Sequence, residues 1–395
     1  MRRAVAVLVL VLASGLAGAL PAQEPVRVRR AAGPPPKLTM SVDSIVVPLG
    51  RRDGGSPLVE VTIDGRGPFS FILDTGASGS VLSKALADSL KLPVLGEARV
   101  GSPVAGGTPQ PGTIVSIGRL EIGGARLEGM TMVAMELGFG GRGPGIQGVL
   151  SPFAFHGAVV TFDFAASQVV VRRGALPAPD GRDVFGWDST ERLPTLPVDL
   201  PGGGHVDAHL DTGSPMTLGL PTSWIERLPL AAKPESAGVA RTVDRSFTRL
   251  SARLQGAATV GRHRLADPEI TFAEPIRTGN VGMGFLAGFR VSVDPANRRL
   301  RLDPTPPGAA KAPRPKRYGV QFRGLEGDTL DVAGVDSGSP AAAAGVRAGD
   351  RVVAFNGKPL AGLESAARIA ALQGTPLVLT VRRDGATREI RMTLE

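Results

Sequence analysis

The chain has 395 residues, of which 53 are glycine and 34 proline, with 4% aromatics and no cysteine; it is long enough for several domains, but disulfides, thiolate metal centres and a cysteine nucleophile are excluded. Its formal net charge of +9 is concentrated at the N-terminus, where Arg2, Arg3, Arg27, Arg29, Arg30 and Lys37 stand against Glu24 alone. The remaining basic residues are spread along Arg-rich strands, and with few aromatics and no basic helix the chain is not expected to bind nucleic acid.

Residues 1–22 open with Arg2 and Arg3, run through an apolar stretch from Ala4 to Leu20 and carry the small residues Ala17-Gly18-Ala19 near its end. This pattern predicts a signal peptide and a periplasmic or secreted protein. The stretch is short for a membrane span, there is no cysteine for a lipid anchor, and no integral membrane segment is expected after cleavage. Residues 23–40, with Pro34-Pro35-Pro36, read as a flexible lead.

The next segment alternates apolar and polar residues from Leu58 to Ile63, turns at Asp64-Gly65-Arg66-Gly67-Pro68, and runs through Phe69-Ser70-Phe71-Ile72-Leu73 into Asp74-Thr75-Gly76. Period-two alternation around a Gly-rich turn predicts a β-hairpin. The same frame recurs downstream. Leu196 to Leu200, the turn Pro201-Gly202-Gly203-Gly204, and Val206 to Leu210 lead into Asp211-Thr212-Gly213. Each copy continues to an apolar-Gly segment, for which Gly148-Val149-Leu150 is paired with Gly282-Met283-Gly284, and then to a strand ending near Asp163 or Asp294. Such repetition predicts an internal duplication of one small β domain.

By these residues the chain resembles the aspartic protease family, its retropepsin-like branch in particular, over about residues 40 to 303. The resemblance rests on the apolar-apolar-Asp-Thr-Gly-small sequences at Ile72–Ala77 and His209–Ser214, in which His209 departs from the pattern. It implies two homologous acid-protease β-barrel lobes, residues 41–174 and 175–303, each giving one carboxylate to a catalytic pair, Asp74 and Asp211. Two carboxylates held about 3 Å apart cannot both ionise, so one keeps a proton while the other takes one from a water between them. Such a pair hydrolyses a peptide bond with no cofactor, no metal and no covalent intermediate. The family also assigns dyad support to Thr75, Gly76, Thr212, Gly213 and Ser214: the threonines lock the loops together and the glycines allow close approach.

Three departures refine the expectation. In pepsins a hydroxyl after each Asp-Thr-Gly bonds the outer carboxylate oxygen, which Ser214 can do and Ala77 cannot; Asp211 is then the better-stabilised anion and Asp74 the holder of the shared proton. Pro215 is expected to stiffen or displace the second loop. No tyrosine is available for a pepsin-like flap, and the candidate flap is the stretch Val100 to Gly107, whose glycines Gly101, Gly106 and Gly107 suit a mobile hairpin tip.

Residues 304–316 form a Pro-rich, charged linker. Beyond it, residues 317–395 resemble a bacterial-type PDZ domain, a small α+β fold, through Tyr318-Gly319-Val320-Gln321-Phe322, Gly338-Ser339-Pro340-Ala341, Ala344-Gly345, Gly349-Asp350 and Asn356-Gly357. The resemblance implies that Tyr318, Gly319, Val320, Gln321 and Phe322 make the peptide-binding loop and strand, opposite a helix near Leu363 to Leu372, and capture protein C-termini.

The expectation is thus a mostly β, monomeric, exported aspartic endopeptidase acting on peptide or unfolded protein substrates, with the PDZ domain recruiting them. The alternative is a non-catalytic peptide-binding or scaffold protein that keeps the protease fold. The four histidines show no metal-ligand spacing.

Overall fold

The computed structural model describes residues 35–394, except 52–55, 102–108, 138–144, 189–192, 242–245, 275, 306–317, 323–326, 337, 364–366, 369–370 and 373–374. The expected signal peptide, most of the lead, and Gly106 and Gly107 lie outside the described residues. The fold is mostly β, and no helix among the described residues is long and apolar enough to cross a membrane.

In the first half, strands Pro57–Ile63 and Arg66–Leu73 pair as an antiparallel hairpin closed at Ile63 and Arg66. Its two turn residues, Asp64 and Gly65, have φ of 49° and 77°, the left-handed pair that matches the twist of a two-residue hairpin. The second strand is polar and open at its start but buries Phe71, Ile72 and Leu73 in succession, because its end is covered on both faces. There it runs parallel to Ile146–Leu150, which is in turn antiparallel to Val81–Ser83. The second half repeats this arrangement. Thr195–Leu200 and Gly204–Leu210 form the hairpin, and Gly279–Val281 runs parallel to its second strand and antiparallel to Leu218–Leu220.

A six-stranded sheet joins the halves, in the order Val184–Gly186, Arg299–Pro304, Phe289–Asp294, Ala158–Asp163, Gln168–Arg173, Ser44–Pro48. Three strands come from each half, and they meet where Val160 pairs with Val293 and Phe162 with Val291. All four of these residues are fully buried. One continuous apolar cluster therefore spans both lobes, and the sheet fixes where each Asp-Thr-Gly loop lies relative to the other.

Two boundaries differ from the expectation. The lead is not flexible as far as residue 40: Lys37–Met40 is a strand paired with Ala125–Met135. Leu38 and Met40 alternate onto the core, where Met40 is 5% exposed, and that burial offsets the cost of ordering the segment. The expected linker starts too early at 304. Pro304 still closes the strand opposite Phe289, and Thr305 is held to the Gly288 carbonyl by its N–H at 3.0 Å and its hydroxyl at 2.8 Å.

The C-terminal module has its own apolar core and a sheet ordered Val320–Phe322, Leu330–Val335, Arg351–Phe355, Leu377–Arg383, Ala386–Met392. Beside that core Asp350, 1% exposed, takes a two-pronged bond from Arg383 at 2.6 and 2.7 Å and a third from the Arg347 N–H at 2.9 Å. Burial pushes this carboxyl up, but the bonds from Arg383 and Arg347 outweigh it and hold it below the usual carboxylate range. Its stabilisation is therefore present above the ordinary carboxylate pKa and lost as pH falls through the lowered value. Arg383→Met strands the buried charge and is expected to cost about 3–5 kcal/mol. Thermal unfolding should show the C-terminal transition falling by roughly 15 °C or more with the transition of the two lobes unmoved.

Candidate active site

Both Asp-Thr-Gly loops leave the buried end of a hairpin strand and are pinned alike: the Asp74 N–H donates to the Leu150 carbonyl at 3.0 Å, the Asp211 N–H to that of Val281 at 2.9 Å. The two loops meet back to back. The Thr75 hydroxyl donates to the Leu210 carbonyl at 2.8 Å and accepts the Thr212 N–H at 3.0 Å. The Thr212 hydroxyl donates to the Leu73 carbonyl and accepts the Thr75 N–H, both at 3.1 Å. Both threonines are fully buried, so each loop is held by the strand end of the opposite lobe.

Gly76 and Gly213 each lie against the other lobe's carboxyl. A Cβ on Gly76 would come within 2.7 Å of Asp211 Cγ and Oδ1, and one on Gly213 within 2.5 Å of Asp74 Oδ2. Neither glycine has a left-handed φ; the need is for room, not for an unusual backbone.

Asp74 Oδ1 accepts the Gly76 N–H at 2.8 Å and the Gly213 N–H at 3.2 Å. Asp211 Oδ1 accepts the Gly213 N–H at 2.9 Å, and Asp211 Oδ2 accepts the Asn280 side-chain amide at 2.7 Å. Burial raises the Asp74 carboxyl to about 8, reinforced by the Asp211 charge and by a side-chain hydrogen bond that protonated Asp74 donates to Asp211, against the opposing amides of Gly76 and Gly213. Burial raises Asp211 too, but the Asn280 amide, the Gly213 and Ser214 backbone N–H groups and His209 oppose it. Both carboxyls are thus pushed up, the direction expected of like charges in a shared buried site.

Ser214 is 7% exposed and contributes its backbone N–H to Asp211. Its hydroxyl does not take the expected place on the outer oxygen: it accepts the Met216 N–H at 3.4 Å, and Asn280 occupies that oxygen. Pro215 does not displace its loop. The closing bonds, Ala77 N–H to Asp74 carbonyl and Ser214 N–H to Asp211 carbonyl, are both 3.3 Å.

Asn280 is the site residue the sequence reading missed. The pairing of Gly148-Val149-Leu150 with Gly282-Met283-Gly284 was three residues out of register. Val149 stands beside Ile72, two residues before the first aspartate, and Asn280 beside His209, two before the second. The equivalent of Gly148-Val149-Leu150 is therefore Gly279-Asn280-Val281.

The candidate flap is described only to Gly101, at the end of a hairpin of Val94–Val100 and Gln110–Ile122 whose last paired residues are Val100 and Gln110. A second hairpin, Glu235–Arg241 with Ser246–Arg253, occupies the corresponding place in the other lobe. In the C-terminal module Val320–Phe322 pairs on one side with Leu330–Val335 and is the edge strand of its sheet among the described residues. Tyr318 is 5% exposed, and its carbonyl accepts the Ala341 N–H at 2.8 Å. Gly319, at φ 75°, leaves no room for a Cβ, which would lie 2.3 Å from that of Ser339.

Comparison with known protein families finds matches in two parts of the chain. No curated protein matches it. Residues 59–151 match the family model for an aspartyl protease, which takes in the first hairpin, Asp74-Thr75-Gly76 and the strand that pins it. Residues 332–383 match the model for a PDZ domain, and the chain thus joins an aspartyl protease domain to a PDZ domain.

Proposed function

We propose that the chain is an aspartic endopeptidase in which Asp74 and Asp211 hold one proton and one water between them. The observation that carries this is the reciprocal threonine lock, which brings two carboxyl groups from separate halves into one site. The ionised carboxylate removes a proton from the water as its oxygen attacks the scissile carbonyl carbon, while the protonated partner bonds the carbonyl oxygen as it gains charge. The C–N bond then breaks, with a proton passing from the pair to the leaving nitrogen. Both carboxylates belong to one chain, so a monomer suffices. The signal-peptide pattern of residues 1–22 supports export to the periplasm or beyond. The edge strand beginning at Val320 and the tight Gly319 turn support recruitment of substrate C-termini, since no other described strand pairs along that edge and a peptide could add there, and tethering raises substrate concentration near the cleft.

Incubation with an unfolded polypeptide from acid to alkaline pH tests the proposal. Cleavage is expected to decline on the basic side as pH passes about 8, where Asp74 gives up the shared proton. No cleavage at any pH would favour a peptide-binding protein that keeps the fold.

A further inference from the structure

The two halves of the site match in backbone but not in the side chains beside the carboxylates. In the first lobe Ile72 and Val149 are cross-strand neighbours within a small apolar cluster with Val81 and Met135. In the second their places are taken by His209 and Asn280, both buried, at 5% and 1% exposure. Among the described residues, an amide side chain donates to the outer oxygen of Asp211, at 2.7 Å, and none does so to Asp74. An amide donor to a carboxylate in a dry setting favours the ionised form.

We propose that Asn280 is a positioning residue that makes Asp211 the anion of the pair and leaves the shared proton on Asp74. The inference rests on the dyad reading and extends it to how the acid and base roles are divided. Other groups do not provide the asymmetry as directly. The titratable groups facing Asp211 are Asp74 across the lobe boundary and His209 on its own strand. Burial lowers the His209 imidazole while the Asp211 charge pulls the other way, so the cation that would favour an ionised Asp211 is itself disfavoured at this place. The Gly279–Val281 strand and the loop from Thr212 to Ser214 bring no charged side chain. Asn280 would then extend the active range toward acid, because the pair works only while Asp211 is ionised and Asp74 is not, whereas the basic limit belongs to Asp74.

The test is a 13C titration of aspartate carboxyls in Asp74→Asn protein, with the Asp211 signal identified by its loss in Asp74→Asn/Asp211→Asn. Adding Asn280→Val, which restores the residue found in the other lobe, is expected to raise the Asp211 midpoint by about one to two pH units. Should that variant not fold, Asn280→Ser, too short to span the contact, is read in the same way. An unmoved midpoint overturns the inference. The titration needs no turnover, so an inactive wild type would sink the endopeptidase proposal while leaving the Asn280 result readable. In active enzyme, Asn280→Val should move the acid limb of kcat upward and leave the basic limb near 8. A uniform loss of rate with an unmoved acid limb would indicate a merely structural role and contradict the inference.

Discussion

Asp74→Asn and Asp211→Asn are each expected to lower kcat for peptide cleavage by roughly a thousandfold or more with little change in KM. Asparagine keeps the shape and the accepting oxygen that Gly76 and Gly213 address at Asp74, so the loops should stay in place while the pair loses its capacity to hold and pass one proton. Steady-state kinetics on an unfolded polypeptide decides this; equal residual rates in both variants and wild type would trace the cleavage to a contaminant. The same variants should unfold at higher temperature than wild type at neutral pH. A carboxyl raised to about 8 binds its proton more tightly in the native state, so its contribution is fully present below the ordinary carboxylate pKa and is lost as pH rises through the raised value. Asparagine suffers no such loss. Its advantage should therefore grow toward alkaline pH, to about 0.5–2 kcal/mol, the gain commonly seen when a single position is stabilised at the expense of activity.

Gly213→Ala is the second large effect. The added methyl would stand 2.5 Å from Asp74 Oδ2 and 2.8 Å from its Cγ, and the carboxyl cannot retreat freely because its other oxygen is held by Gly76. The backbone itself accepts alanine, since Gly213 has no left-handed φ. The cost should thus fall on the site more than on the fold: kcat down by about a hundredfold or more, with the far-ultraviolet circular dichroism unchanged. Wild-type rates in Gly213→Ala would mean that the carboxyls do not approach as closely as the lock implies.

Much of this architecture was legible because the residues that build it are short-range signals. Asp64-Gly65 sets a hairpin turn, apolar alternation sets the strands, and a repeated Asp-Thr-Gly after each hairpin gives the duplication. The six-stranded sheet was less visible, since pairing Val160 with Val293 is a long-range event that no local pattern states. The strand at Lys37–Met40 was hidden by the prolines before it; two alternating apolar residues, Leu38 and Met40, were its only mark. Asn280 was missed for a different reason. The second half has three glycines in close succession, Gly279, Gly282 and Gly284, and the repeat was anchored on the wrong one. The structural distinction is steric: a Cβ at Gly148 would strike the Phe71 ring, and one at Gly279 the Cβ of Ala208. Phe71 and Ala208 hold the same place before their aspartates, and only the folded register shows it.

A neutron structure of the wild-type protein near neutral pH would test the central claim most directly, by counting the hydrogens on Asp74 and Asp211. A single deuteron held by the pair, with the two carboxyls facing each other, is the predicted result. Two bare carboxylates, or carboxyl groups turned away from one another, would contradict it.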